Sequence, residues 1–307
     1  MKVLIAGAGG LVGTRLANAL TSSGHDVAAL VRDVARAAPA LPGATLYVWD
    51  GTAGQPPAAA FEGVDGVVNL IGESLAAGRW TDARKKKLRD SRIVSTRALV
   101  DALRGLAQKP KVLVSASGVG YYGNRGDEIL TETSSPGTGF LAELARDWEA
   151  EALRAQELGM RVVVLRAGVI LDRRGGFLRA LLPAFRWGLG ARVGAGHQWL
   201  PWIHMDDEVA LIRHALTESR ASGVLNAVAP EPVTNREFTS VFGAAVARPA
   251  ALAAPAFALR LAVGRKADEL LLASQRAMPV RTLESGFQFR YPLLRSALRA
   301  ALDENAA

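Results

Sequence analysis

Residues 115–123 read SASGVGYYG and directly follow the apolar run KVLV of residues 111–114. Ser117, Tyr121 and Tyr122 are the side chains of this stretch that could do chemistry. A hydroxyl and a phenol at the end of a buried strand can hold a carbonyl or an alcohol and exchange its proton. A phenol titrates near ~10, so it needs a neighbouring cation to act as a base around neutrality. A second chemistry is offered by GAGGLVG at residues 7–13. Its glycines stand between an apolar run and an amphipathic one. Gly7 permits a tight turn, Gly10 lets the main chain approach a pyrophosphate, and Gly13 lets a helix pack on the sheet. The phosphates would meet the positive first turn of that helix, which holds Leu11 and Val12.

Both sets of residues need strands to carry them. Short apolar, β-branched runs occur at Lys2–Gly7, Asp26–Val31, Ala44–Trp49, Gly66–Ile71, Lys111–Ser117 and Arg161–Gly168, with another at Gly223–Ala229. Their near-continuous apolar character suits strands covered on both faces. Helical patterns span Leu11–Ser22, Ala83–Leu106 and Gly139–Glu157. The alternation predicts an α/β fold, a doubly wound parallel Rossmann-type sheet. From about Val169 the pattern loosens. We expect a nucleotide-binding domain of residues 1–168 and 205–228, with a smaller C-terminal substrate cap of 169–204 and 229–307. APAFALRLAVG (254–264) begins a helical part of the cap, and NREF (235–238) opens a helix capped by Thr234 or Asn235. Asp206 or Asp207 is expected to cap DEVALIRHAL (207–216), and the final DENAA to fray.

The bulk composition narrows the function classes. The chain has 307 residues, half of them apolar, so it can bury a sizeable core. Its apolar runs stop well short of the ~20 residues that cross a membrane, and no membrane partner is expected. The start MKVLIAGAGG lacks a cleavage pattern and reads as a cytoplasmic N-terminus. There is no cysteine, so neither disulfides nor thiolate chemistry is available. The net charge of +8 is partly concentrated in RKKKLRDSR, residues 84–92. This run reads as a solvated basic helix face, or as a surface that attracts an anionic ligand. No aromatic-rich RNA motif accompanies it, so no nucleic-acid partner is expected. The four histidines, at 25, 197, 204 and 214, show no paired ligand spacing, and no metal is expected. Neither Ser115 nor Ser117 sits in GxSxG, which argues against a serine hydrolase.

The second strand ends ALVRD, with Val31 where an acid for the ribose hydroxyls would stand and Arg32 next. A guanidinium can pair with a 2′-phosphate and stack on adenine, which favours NADP(H) over NAD. Asp33 offers an alternative partner for the ribose. Asp50, after the third strand, either accepts from the adenine amino group or forms a turn. Leu70, Ile71 and Gly72 end the fourth strand and suit the wall of the adenosine ribose.

With GxxGxxG at Gly7, Gly10 and Gly13, SASGVGYYG after the fifth strand, and WIHMDDEVALIRHAL at 202–216, the chain resembles the extended short-chain dehydrogenase/reductase superfamily. VNLIGESLAAGRWT, FLAELARDWEAEAL, LRAGVIL, LPWIHMDD and GFQFRYPLLRSAL make it similar to an atypical branch of NAD-dependent epimerase/dehydratase-family proteins. The resemblance spans nearly the whole chain. It implies hydride transfer at a nicotinamide, with a serine on the substrate oxygen and a tyrosine–lysine pair, YxxxK, on the following helix. Ser117 takes the serine's place. Ala167, Gly168 and Val169 would pass the nicotinamide, and Gln198, Trp199, Trp202 and His204 would line the substrate pocket. Helices beside the fourth and fifth strands would be the surface of a homodimer. The pair itself is missing: aligned on Glu149, its positions are Leu141 and Ala145, or one residue earlier Phe140 and Leu144. Glu143 and Arg146 are the only polar substitutes nearby. Two readings follow. In one, the protein is an NADP-dependent oxidoreductase or epimerase of a small or nucleotide-linked substrate, with Tyr121 or Tyr122 carrying the proton. In the other, it binds NADP(H) without turnover, as a sensor or regulator.

Overall fold

The computed structural model describes residues 1–303, so all of the expected frayed tail except Asp303 lies outside the described residues. The seven apolar runs become seven strands: β1 Lys2–Ala6, β2 Asp26–Val31, β3 Thr45–Val48, β4 Gly66–Asn69, β5 Val112–Gly118, β6 Arg161–Ala167 and β7 Gly223–Ala227. They form one sheet in the order β7-β6-β5-β4-β1-β2-β3, parallel at every pairing. The strand order reverses between β1 and β4. A crevice opens there beyond the carboxyl ends of the strands, the usual ligand position in such sheets.

Alternate residues of each strand face opposite sides, and both sides are covered. Val3 and Ile5 pack with Leu16 and Leu20 of α1 (Leu11–Ser22) and with Leu211 and Ile212 of the helix Met205–Thr217. Leu4 and Ala6 pack on the other side with Leu99, Val100 and Leu103 of α2 (Asp82–Arg104). The helical pattern predicted over Gly139–Glu157 resolves into α3 (Phe140–Leu153) and a 3₁₀ turn, Arg154–Leu158.

A third apolar cluster gathers the rest of the chain. Leu178 and Phe185 of α4 (Gly176–Arg186), Phe238 and Phe242 of the helix Asn235–Ala245, and Leu294 and Leu298 of Leu294–Leu302 enclose Trp202. The rings of Phe185 and Phe242 stack with centroids 4.2 Å apart. Thr234 caps its helix in a full capping box with Glu237, as the sequence suggests. The cap of Met205–Thr217 differs from expectation. His204 is the capping residue, its Nδ1 accepting from the Asp206 N–H at 3.1 Å. Asp206 instead pairs with Arg15, and Asp207 accepts from the main-chain N–H groups of Arg290 and Tyr291.

Candidate nucleotide and ligand cleft

Two spaces open near the carboxyl ends of the strands, one beside β1–β4 and one beside β5 and β6. The first, a cleft of about 500 Å³, is lined by Gly7, Gly9, Gly10, Val31, Arg32, Asp33, Arg36, Trp49, Asp50, Leu70, Ile71, Gly72 and Glu73. Gly7 has φ +84°, and a Cβ there would stand 2.8 Å from the Leu70 carbonyl carbon. At Gly13 a Cβ would come within 2.4 Å of the Gly7 carbonyl oxygen. These two glycines let β1, β4 and α1 close on one another. Gly9 and Gly10 line the cleft, and no side chain caps α1. The first-turn N–H groups are therefore not claimed by a capping side chain and suit a pyrophosphate. Leu11, Val12 and Gly13 do not line this cleft. The side chains of Leu11 and Val12 pack against the core, and Leu11 also abuts Gly175.

Arg32 stands at the rim with its side chain 74% exposed and donates to Glu73 at 3.2 Å. Arg84 also donates to Glu73, and Lys87 lies 3.9 Å from it. Desolvation works against the Glu73 charge, but these cations outweigh it and hold the carboxyl below its usual range. Asp33 is engaged as the cap of the short helix Val34–Ala37. Asp50 accepts from the Thr52 and Ala53 N–H groups, so its carboxylate is turn-forming, and these bonds hold it below the usual range.

The second space, about 330 Å³, is mostly apolar. Leu75, Val119, Leu141, Leu144, Trp148, Trp199, Leu200 and Leu270 form its walls with Ala167, Gly168 and Val169. Ser117, Arg92, Glu269 and Gln275 are its polar side chains. Ser117 is nearly buried, and its Oγ donates to Glu149 Oε1 at 2.6 Å. Glu149 is held bidentately by Arg166, at 2.9 Å from Nε and 2.8 Å from Nη2. This pair is buried on both sides. Burial opposes the Arg166 charge, yet the Glu149 bonds prevail and the guanidinium is held above its usual range.

The two tyrosines are not free phenols in this pocket. Tyr122 is fully buried, with its hydroxyl 2.7 Å from Asn226 Oδ1 and 3.0 Å from the Thr131 carbonyl. Arg166 Nη1 donates to the same oxygen at 3.1 Å. Burial pushes the phenol up to about 12, opposite to what a base requires. Tyr121 lays its ring on the Arg166 guanidinium, 3.3 Å from Cζ to the centroid, and is absent from the pocket wall. The expectation that Tyr122 carries a proton to a ligand is therefore corrected, and Tyr121 stands outside this pocket wall. Leu141 and Ala145, the positions aligned with the missing tyrosine and lysine, do line the pocket. Glu143 and Arg146 are exposed on the opposite side of α3 and cannot substitute.

The four substrate candidates part company. Trp199 lines the pocket, its indole N–H donating to Asp127 at 2.8 Å. Gln198 lies outside the pocket wall and clamps the Val193 and Leu271 carbonyls through its amide. Trp202 is 1% exposed, buried in the third cluster by the pairing of Trp202–His204 with Val169–Leu171. His204 caps its helix, packs its ring at a tilt against Tyr291 and lines a separate cavity beside Asp172 and Arg174. Trp202 and His204 are thus too deep, or too far round, to meet a ligand beside Ser117. Sequence reasoning missed Arg92, Glu149, Trp148 and Glu269. A signal existed for the first two. Leu88, Arg92, Ser95 and Leu99 share one buried face of α2, and Glu149 falls on the face of α3 that buries Leu141, Ala145 and Trp148.

Comparison with known proteins gives the same architecture a lineage. Residues 3–227 match the model of the NAD dependent epimerase/dehydratase family, and residues 254–301 match a domain of unknown function, DUF1731. The Mycobacterium bovis epimerase family protein Mb2239 is 45% identical over 298 residues, covering 96% of each chain. The Homo sapiens epimerase family protein SDR39U1 is 37% identical, covering 97% of this chain and 99% of its own. The crystal structure of human SDR39U1 (isoform 2) with NADPH superposes with a TM-score of 0.86 at 36% identity, over 97% of this chain and 98% of that one. Sequence match and fold agree from the glycine turn through β7, and the chain belongs to the NAD dependent epimerase/dehydratase family.

Proposed function

We propose that this chain binds NADP(H) and holds its nicotinamide end beside an apolar ligand pocket, as a nucleotide-dependent binding protein rather than a phenol-driven dehydrogenase. The adenosine and pyrophosphate would lie in the Gly7–Gly10 cleft, with Arg32 and Arg36 facing the 2′-phosphate. The Asp33 carboxylate is engaged in capping and is not presented to the ribose hydroxyls. A human relative crystallised with NADPH supports the choice of nucleotide. When bound, the nicotinamide supplies a hydride donor or acceptor. The chain itself supplies a dry wall at Ala167, Gly168 and Val169 and a hydroxyl at Ser117. We take residues 169–204 and 229–307 as the substrate cap and the cytoplasm as its compartment.

One observation carries this reading: the wall positions that would hold a phenol and an ammonium are Leu141 and Ala145, and the Tyr122 hydroxyl is sealed away. A second reading, slow hydride transfer, is favoured by Ser117 standing in the wall with Glu149 behind it at 2.6 Å. That dyad can accept or return a proton without a phenol. The test is nicotinamide absorbance, followed for NADPH-loaded protein across a panel of aldehydes and ketones. The binding reading expects saturable nucleotide binding and no oxidation on any of them. Turnover lost in Ser117→Ala would establish the second reading in its place.

A further inference from the structure

Arg92 comes from the basic run of α2, but it does not face water. It is 8% exposed and forms part of the wall of the apolar pocket. Its Nη2 donates to the Glu73 carbonyl at 3.0 Å and its Nη1 to the Leu88 carbonyl at 3.3 Å, with Ser91 Oγ at 3.5 Å. All of these partners are neutral. The Glu73 carboxylate is directed instead at Arg32 and Arg84. Among the described residues no salt bridge engages Arg92, and its Nε–H takes no partner. Arg166, the other deeply buried arginine near Ser117, has a full carboxylate on two of its nitrogens.

The cation is nevertheless built in. The Trp148 ring lies 5.2 Å from Cζ. The guanidinium lies against Gly72, where a Cβ would stand 2.9 Å from Cζ and Nη2. Burial pulls Arg92 down to about 10 against the attraction of the nearby Glu73 carboxylate, so it stays charged at neutral pH. A buried charge with no carboxylate bonded directly to it is costly, and proteins normally pair such charges or use them. The guanidinium has five N–H donors, and the two carbonyls engage only part of them.

We propose that this pocket takes a small amphipathic carboxylate, its apolar body against Leu141, Leu144, Trp148 and Leu200 and its anionic end on Arg92. The proposal rests on the reading of this space as the ligand pocket and names the class of ligand. A single cation in about 330 Å³ matches one carboxylate. A diphosphate-bearing ligand would bring at least two charges to this one guanidinium. Either ligand also meets Glu269 in the same wall, whose Oε2 is held by the Leu141 N–H at 2.7 Å.

The test is calorimetric titration of the protein, with and without saturating NADPH, with hexanoate and phenylacetate against hexanamide and phenylacetamide. The acids are expected to bind about tenfold or more tightly than their amides, the difference a charge-assisted pair makes. In Arg92→Gln that preference disappears, while NADPH affinity stays within about threefold of the parent. Arg92→Lys, which keeps the charge, retains part of it and serves if the glutamine variant does not fold. Equal binding of acid and amide by the parent, binding of neither, or a preference that survives in Arg92→Gln overturns the proposal. Failure of NADPH to bind would sink the cofactor reading alone, because the acid–amide comparison is also made without nucleotide.

Discussion

Replacing Arg32 by alanine isolates the charge that we assign to the 2′-phosphate. In the nucleotide-free protein Arg32 is mostly exposed and donates to Glu73 at 3.2 Å. An exposed pair of this kind is worth about 0–1 kcal/mol. A guanidinium on a phosphate makes charge-assisted hydrogen bonds worth about 1.5–3 kcal/mol. Binding exchanges the first for the second, so the net gain is about 1–2 kcal/mol. That corresponds to roughly 5- to 30-fold in affinity. Arg36 lines the same cleft and limits the loss to this range. NADH lacks the 2′-phosphate, and its affinity should be unchanged in Arg32→Ala. The assay is parallel titration of parent and variant with NADPH and NADH at one fixed ionic strength, because exposed charges are screened by salt. An Arg32→Ala variant that binds NADPH within about twofold of the parent, or that loses NADH equally, would refute the reasoning.

Glu149→Leu leaves Arg166 buried without its counter-ion, which costs about 3–5 kcal/mol. At ~2 °C per kcal/mol for a chain of this size, the melting midpoint should fall by about 6 °C or more in a thermal melt, and a fall under ~2 °C would contradict the pairing. Tyr122→Phe removes a hydroxyl bonded to Asn226, Thr131 and Arg166, and should cost about 1–3 kcal/mol by urea unfolding without changing NADPH affinity. A lost NADPH affinity with intact stability would return Tyr122 to the ligand site. Glu208 is buried with Oε2 unpartnered, and burial raises its carboxyl from 4.5 to about 8. A raised acid favours folding below its unfolded pKa, and that advantage is lost as pH rises through the folded value. Glu208→Gln should therefore gain stability relative to the parent between about pH 4.5 and 8. A pH-independent difference between their melting midpoints would show that Glu208 titrates normally.

The strands were legible because β-branched runs, alternating with amphipathic segments, allow few arrangements other than a doubly wound sheet. Leu11–Ser22 was readable to the residue because glycines mark its start and its buried positions, Gly13, Leu16, Ala17 and Leu20, keep helical spacing. The nucleotide cleft followed from Gly7, Arg32 and Leu70–Gly72, which chain order brings to one switch point. The ligand pocket was harder, because its polar residues come from four separate elements. Arg92 was hidden in a run of charges from which Lys86 and Lys87 face solvent. Tyr121 and Tyr122 were misleading because spacing after β5 places their main chain, whereas Arg166, Asn226 and Thr131 decide where their rings go. Trp202 and His204 were drawn inward by a parallel pairing with Val169–Leu171 that local sequence does not reveal.

The account stands on nucleotide binding, and the chain carries its own reporters. Trp49 lines the nucleotide cleft, and Trp148 and Trp199 line the ligand pocket. Titration with NADPH should quench tryptophan emission saturably and raise nicotinamide emission by energy transfer. Binding should be at least about fivefold tighter than for NADH. Unchanged tryptophan emission with both nucleotides, confirmed by absence of heat in calorimetry, would contradict it.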